Sequence, residues 1–275
     1  MSNPVVLITG GARGIGAGIA KSFLNAGYST MIADIGLNAD SNDWTYELAT
    51  NSDIDALKKD SPDLKACFVD VTNFKSCEEA VNETIACFGQ LDVLINNAGI
   101  VNSGPIESFD EEAWDKIFEV NTKGIFLMTK AALSELRKSK SASVINTASI
   151  AGKKGYANMS AYCGSKFAAI GVTQSLANEL APDGIRVNAI CPGMVGTAMW
   201  LEHLLPTNAT DHTQKTREFE EMMQERIPLG RPQTSEDMGQ AALYLASANN
   251  VTGVSLSVSG GFGAVSYTHL RAHET

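Results

Sequence analysis

Val5-Val-Leu-Ile-Thr-Gly-Gly-Ala-Arg-Gly-Ile-Gly16 decides the fold of this chain. Four apolar residues in succession, without polar alternation, read as a short strand buried on both faces. The run breaks into a glycine-rich turn, after which Ile15, Ile19, Phe23 and Leu24 recur at helical spacing up to Gly27. Strand, glycine turn and helix in direct succession make a dinucleotide site. Glycines let backbone N–H groups approach a pyrophosphate, and the helix N-terminus favours its negative charge. Gly10, Gly14 and Gly16 are spaced G-x-x-x-G-x-G, which departs from the G-x-G-x-x-G fingerprint. Taken alone, such a turn can also be a structural bend.

Outward from this unit, strand-like runs lie near 5–9, 30–34, 66–70, 91–96, 143–148, 186–191 and 255–259. Helical patterns fill 15–26, 74–88, 111–137, 158–181 and 235–247 between them. The alternation predicts an α/β fold with a doubly wound parallel sheet. Pro182-Asp-Gly184 is a helix stop before the sixth strand. Two stretches are less regular. Residues 35–63 are polar and longer than a strand–helix–strand connection needs, with Trp44 and Tyr46 as candidates to pin the loop. Residues 198–228, rich in Glu, Thr and His, interrupt the core pattern, and His203 and His212 there read as solvated loop residues rather than ligands.

Chemistry gathers in the second half. Tyr162 and Lys166 are four apart in a helical run, so they share a face and the ammonium can sit beside the phenol. A free tyrosine ionises near pH 10 and is a poor base at neutrality. Lowering it by about 2–3 pH units takes roughly 3–4 kcal/mol. One close unit charge supplies on the order of 4 kcal/mol at an effective dielectric near 20, so Lys166 suffices in principle. Ser149 ends the strand-like run Ser143-Val-Ile-Asn-Thr-Ala-Ser149, from which a loop and helix can bring its hydroxyl against the phenol. Leu91-Asp-Val-Leu-Ile-Asn-Asn-Ala-Gly99 is an apolar strand that ends in small and polar residues, where a flat ring system can pass. Cys191-Pro-Gly-Met-Val-Gly-Thr197 closes another strand with a turn and a hydroxyl.

In their joint order, Thr9-Gly-x-x-x-Gly-x-Gly16, Asn96-Asn-Ala-Gly99, Asn121, Ser149, Tyr162/Lys166 and Pro192-Gly193 make the chain resemble the short-chain dehydrogenase/reductase family from about Val5 to Gly261. The resemblance implies one Rossmann-type domain over residues 1–264. Its seven-stranded parallel sheet would run in the order 3-2-1-4-5-6-7 with helices on both faces, and residues 198–228 would be a mobile substrate loop. It implies hydride transfer between a nicotinamide and a carbinol carbon. Tyr162 would be the acid/base, Ser149 would fix the substrate oxygen, and Lys166 would lower the phenol pKa and bind the ribose hydroxyls. Asn121 would hold a water in a proton relay to the lysine.

Thr9, Gly10, Arg13, Gly14, Ile15 and Gly16 would border the phosphates, Asp70 and Val71 the adenine, and Asn97, Ala98 and Gly99 the ribose and nicotinamide side. Pro192, Gly193, Val195 and Thr197 would close the nicotinamide end, Val195 and Thr197 holding the carboxamide. Ala151, Tyr156, Met194 and Trp200, with Ser149, are the substrate candidates. Cofactor choice sets Asp34, at the end of the second strand, against Arg13 in the glycine turn. A carboxylate accepts hydrogen bonds from the adenosine ribose, and it repels a 2′-phosphate by on the order of 4 kcal/mol per charge pair. No second basic residue follows Asp34, so NAD is expected over NADP.

Composition bounds the rest. With 275 residues, 44% hydrophobic content and a net charge of −10, the chain suits a soluble enzyme and argues against nucleic-acid or anionic-membrane partners. The first strand begins too early for a leader peptide, no apolar run reaches membrane-span length, and the cysteines show no paired spacing. A reduced, cytoplasmic setting is expected. Cys67, Cys77 and Cys87 fall ten apart with no histidine at ligand spacing, so no metal is expected. Cys163, beside Tyr162, reads as a small packed residue.

Three functions compete: an NAD-dependent dehydrogenase of small secondary alcohols, diols, polyols or cyclic alcohols; an NADPH-dependent 3-oxoacyl-carrier reductase; and a non-catalytic dinucleotide sensor. The retained tyrosine and lysine and the acidic chain favour the first, with a small-molecule alcohol or ketone as its partner. The Trp44–Thr50 stretch motivates a terpene-alcohol variant of it. A homotetramer or dimer through the helices at 111–137 and 158–181 is implied by the resemblance. Val265–Thr275 resembles a translated sequencing adapter and reads as a non-native tail.

Overall fold

The computed structural model describes residues 3–38, 48–58 and 61–264. Trp44, Tyr46 and the tail at 265–275 lie outside the described residues. Strand Val5–Thr9 (β1) is buried along its whole length and turns directly into helix Gly14–Asn25 (α1). Ser29–Asp34 (β2), Asn51–Lys58 (α2), Leu64–Phe68 (β3), Phe74–Phe88 (α3) and Val93–Asn96 (β4) follow. Then come Glu111–Phe118 (α4), Gly124–Leu136 (α5), Ser143–Thr147 (β5), Ser160–Leu180 (α6) and Arg186–Pro192 (β6). Ala198–His203 (α7), His212–Arg226 (α8), Ser235–Ser247 (α9) and Ser255–Val258 (β7) complete the order. The seven strands are all parallel and lie in the order β3-β2-β1-β4-β5-β6-β7, as expected from the sequence.

The two-residue period of a strand divides the core between two helix layers. Val6 and Ile8 of β1 face one side and pack with Ile32, Ile95, Ile19 and Phe23 of α1, Ile54 of α2, and Met238 and Leu245 of α9. Leu7 faces the other side and packs with Met31, Leu94, Val144, Cys77 of α3, Met128 and Leu136 of α5, and Leu180 of α6. Helices on both faces explain why the central strands are apolar runs rather than alternating ones. Strand order reverses between β1 and β4, which opens a crevice beyond the strand ends where ligands of such sheets bind.

Four local features differ from the sequence expectation. β3 ends at Phe68, two residues earlier than expected, so Asp70 sits in the turn after it. The Asp70 carboxylate accepts from the Thr72 N–H at 2.9 Å and the Thr72 hydroxyl at 2.7 Å, an Asx turn that stops the strand. The expected helix over 111–137 is interrupted by a π-helical turn at Glu119–Lys123, which carries Asn121 inward.

Residues 35–63 contain α2, started by Thr50 and Asp53, which exchange hydrogen bonds. Residues 198–228 contain α7 and α8 rather than a plain loop, with Asp211 capping α8 through the Gln214 N–H at 2.9 Å. Among the described residues, no helix is long and apolar enough to cross a membrane, and no group of three or more His, Cys, Asp or Glu could hold a metal ion. The five cysteines are free.

Candidate active site

A cavity of about 500 Å³ opens along the strand ends, from Asp34 and Ile35 at one extreme to Tyr162, Met194 and Trp200 at the other. The glycine turn forms its floor. Gly16 is required there by close approach, since an added Cβ would collide with the Gly10 carbonyl oxygen and lie 2.7 Å from Asn97 Nδ2. Thr9 stitches the floor together: its Oγ1 accepts from the N–H groups of Asn97 at 3.0 Å and Ala98 at 3.1 Å. The Asn97 amide reciprocates, donating to the Thr9 and Gly10 carbonyls at 3.1 and 2.9 Å. The end of β1 is thereby fixed to the end of β4.

The helix behind this turn is left open. Arg13, in extended backbone at the N-cap of α1, makes no side-chain cap, and no acidic residue lies in the first turn. Unsatisfied N–H groups and the positive end of the helix therefore point at the cavity, an arrangement suited to a pyrophosphate. At the adenosine end, Asp34 is buried and accepts from the N–H groups of Ala12 and Gly36, both at 3.1 Å. Burial raises its carboxyl above the ordinary value, while those two hydrogen bonds and the nearby Arg13 pull the other way. A carboxylate holds further lone pairs, so ribose hydroxyls can still donate to Asp34. Turn, open helix end and carboxylate fit a dinucleotide.

At the other end, α6 brings Tyr162 and Lys166 under the tip of β5. Tyr162 shares a side-chain hydrogen bond with Ser149. Ser149 Oγ also accepts the Ala151 N–H at 3.1 Å, which orients the hydroxyl. Lys166 is buried, and its Nζ donates to the Thr147 carbonyl at 2.9 Å and lies 5.8 Å from the centre of the Tyr162 ring. The expected lowering of the phenol by the lysine is not met in this state. Burial pushes the Tyr162 phenol up to about 12, opposed by the Ser149 hydrogen bond and reinforced by Cys163. Burial also pushes the Lys166 ammonium down to about 8. Removal from water is the largest cause of each shift.

Three residues expected at the site stand behind its wall. Thr9 and Gly16 support the floor without lining the cavity. Asn121 is buried, and its carboxamide is committed: Oδ1 accepts from Ile100 N–H at 2.8 Å, and Nδ2 donates to the Ile100 carbonyl at 2.9 Å and to Ser165 Oγ at 3.0 Å. That side chain clamps the π-helical turn to the β4 loop and to α6 at Ser165, the residue before Lys166.

The remaining candidates line the cavity: Gly10, Arg13, Gly14, Ile15, Asp34, Asp70, Val71, Asn97, Ala98, Gly99, Pro192, Gly193, Val195 and Thr197, with Ala151, Tyr156, Met194 and Trp200 near the tyrosine. Asp70 borders it from the turn after β3. Ile35, Leu48 and Ala49 also line the adenosine end, and Met159, Met199, Leu204, Arg226 and Phe262 the reactive end; of these, Met199 beside Trp200 is legible in the sequence. Met159 and Met199 neighbour helix and turn residues already singled out; Phe262 arrives from the far end of the chain with no local signal.

The short chain dehydrogenase family matches residues 4–204. Galactitol 2-dehydrogenase of Agrobacterium fabrum is 36% identical over 251 residues, covering 91% of this chain and 93% of that protein. L-2,3-butanediol dehydrogenase of Corynebacterium glutamicum is 36% identical over 265 residues, covering 94% and 97%. Among solved structures, carveol dehydrogenase from Mycobacterium avium in complex with NAD superposes with a TM-score of 0.86 at 27% identity, covering 96% of this chain and 99% of that one. With its strand order, glycine turn and serine–tyrosine–lysine cluster, the chain belongs to the short-chain dehydrogenase family of nicotinamide-dependent oxidoreductases.

Proposed function

We propose that this protein is an NAD(H)-dependent oxidoreductase that interconverts a secondary alcohol and its ketone, with Tyr162 as general acid/base. The observation that carries the reading is the convergence of the Ser149 hydroxyl, the Tyr162 phenol and the Lys166 ammonium at one end of a cleft whose other end is an uncapped helix N-terminus. The relatives are named for galactitol, butanediol and carveol, compounds that carry secondary hydroxyls.

When bound, the dinucleotide supplies a hydride acceptor in its oxidised form and a hydride donor in its reduced form. Tyr162 exchanges the proton: its oxygen takes the hydroxyl proton in oxidation and returns it to the carbonyl oxygen in reduction. Ser149 holds the same substrate oxygen in place. Lys166, anchored on Thr147, presents its charge to the phenol and to the ribose side of the cleft. Asn121 acts as a positioning residue for the turn beside α6. Asp34 selects NAD, because a buried carboxylate repels a 2′-phosphate. Free cysteines fit a reducing compartment, and exposed phenylalanines on the outer faces of α5 and α6 support assembly with further copies of the chain.

Reduced-nicotinamide absorbance with NAD⁺ and a panel of secondary alcohols tests the reading. Tyr162→Phe is expected to lose nearly all turnover while binding NADH within about threefold of wild type, because the hydroxyl serves chemistry rather than cofactor affinity. Retention of more than about a tenth of the wild-type rate would remove Tyr162 as the acid/base.

A further inference from the structure

We infer that the substrate is an apolar secondary alcohol or ketone, one oxygen on a hydrocarbon body, and that polyols and small diols are rejected. The inference rests on the proposed role of Tyr162 and concerns the wall that faces it. Beyond Ser149 and Tyr162, that end of the cavity is built from Ala151, Met159, Met194, Met199, Trp200 and Leu204. These side chains belong to two apolar clusters, one around Ala151, Tyr162 and Cys163 and one backed by Phe219, Met223 and Ile227 of α8 and its end. The wall that these side chains form is therefore mainly hydrocarbon, with the two clusters packed behind it. Among the described residues, the other polar side chains bordering this end are Tyr156, half-buried, and Arg226, which is exposed.

A polyol placed with one carbinol on Tyr162 would bring several further hydroxyls against this wall. Each hydroxyl that leaves water without a partner weakens binding by roughly 5- to 150-fold. A methylene in the same place strengthens it by about fourfold. Three methionines add tolerance of shape, since an unbranched thioether chain adapts to varied ring outlines. Trp200 supplies a flat face and packs on Phe219 with ring centres 5.5 Å apart, which holds it in position.

The test compares secondary butanol, hexanol and octanol, an alicyclic alcohol, butane-2,3-diol and galactitol, all with NAD⁺. Across the aliphatic series kcat/KM should rise about two- to fourfold per methylene, and the alicyclic alcohol should exceed galactitol by at least about 100-fold. Met199→Gln, which puts an amide in the wall, should lower the octanol-to-diol ratio about tenfold.

Binding is read separately, by calorimetry of octanone and of a keto-sugar on NADH-loaded Tyr162→Phe protein. Octanone should bind with a negative heat-capacity change and the keto-sugar at least about tenfold more weakly. A diol or polyol equal to or better than octanol overturns the inference, and so does tighter keto-sugar binding. If Tyr162→Phe still oxidises octanol, the proposed acid/base role fails while the apolar preference stands. If turnover depends on Tyr162 but favours galactitol, the apolar preference fails and the role stands.

Discussion

Tyr162 and Lys166 are both buried, and burial moves their ionisations in opposite directions: the phenol up to about 12, the ammonium down to about 8. The signs define the protonation state. Below about 8 the pair is phenol and ammonium, and the phenol stays protonated well above that point. On the proposed role of Tyr162, these directions favour proton donation at neutrality and proton acceptance at higher pH. Reduction should be flat through neutrality and fall as the lysine charge is lost, whereas oxidation should climb with pH; the limbs belong to the coupled pair rather than to one residue.

Ultraviolet titration of cofactor-free wild type minus Tyr162→Phe should show no phenolate from this residue until pH approaches about 12. A midpoint near neutrality would restore the simpler reading in which Lys166 alone lowers the phenol. Asp34 carries the second prediction at this scale. Wild type should prefer NAD⁺ to NADP⁺ by at least roughly 100-fold in kcat/KM, about 2.7 kcal/mol, and Asp34→Ser should narrow that gap while Arg13 remains. Equal activity with NADP⁺ in wild type would show that Arg13 decides. Residue identity at the site was largely legible, because Tyr162, Lys166, Ser149 and Asp34 announce themselves by type and spacing. Their electrostatics were not, because desolvation depends on what the rest of the chain packs over them. Asn121 shows the same limit: its position was readable, but its commitment to Ile100 and Ser165 was not.

Elements were legible where one face is buried and the period is clean. β1, α1, α3 and α9 fall within a residue of the sequence reading. α8 escaped because only Phe219 and Met223 of its fifteen residues are buried, and a strongly charged helix gives little periodic signal. The starts of α2 and α8 were nevertheless written in Thr50-x-x-Asp53 and Asp211-x-x-Gln214, cap patterns that outlast a weak apolar stripe. The π-helical turn at Glu119–Lys123 has no local signature, since it depends on partners in the β4 loop and α6.

The α1–α9 contact yields a prediction for elements. A Cβ on Gly18 would lie 2.6 Å from the backbone C and O of Ser235, and one on Gly239 would lie 2.6 Å from Ser22 Cβ. The two helices meet almost backbone to backbone. Because Gly18 lies only four residues after Gly14, this crossing sits close behind the open N-terminal turn of α1. Gly18→Val should destabilise the protein by about 1–3 kcal/mol through forced separation of the helices. Thermal or urea unfolding measures the loss, and NADH affinity should fall with it. A variant of unchanged stability would mean that α9 shifts without resistance.

On the scale of the whole molecule, the faces of the sheet are covered but the outer surfaces of α5 and α6 are not apolar-free. Phe126 is 50% exposed and Phe167 48% exposed. Between α4, α5 and α6 runs a cleft of about 740 Å³ bordered by Phe118, Phe126, Val172 and Leu176, with Asp115, Glu119 and Glu179 beside Lys123. Adjacent apolar side chains on two neighbouring helices, rimmed by charges of both signs, suit a self-complementary contact in which each copy offers the same patch. α6 also carries Tyr162 and Lys166, so covering its outer face would stiffen the helix that holds the reactive pair. The expected outcome in sedimentation at micromolar concentration is a dimer or tetramer. The double substitution Phe126→Lys with Phe167→Glu should shift the protein to a smaller species, because buried like-patch contacts would then have to desolvate charges. NADH binding should persist in that species, since the dinucleotide cleft lies at the strand ends, while its melting temperature should fall by several degrees as the lost partner no longer adds its mass-action stabilisation. A wild type that sediments as a monomer, or a double variant that keeps its assembly, would place the interface elsewhere or remove it.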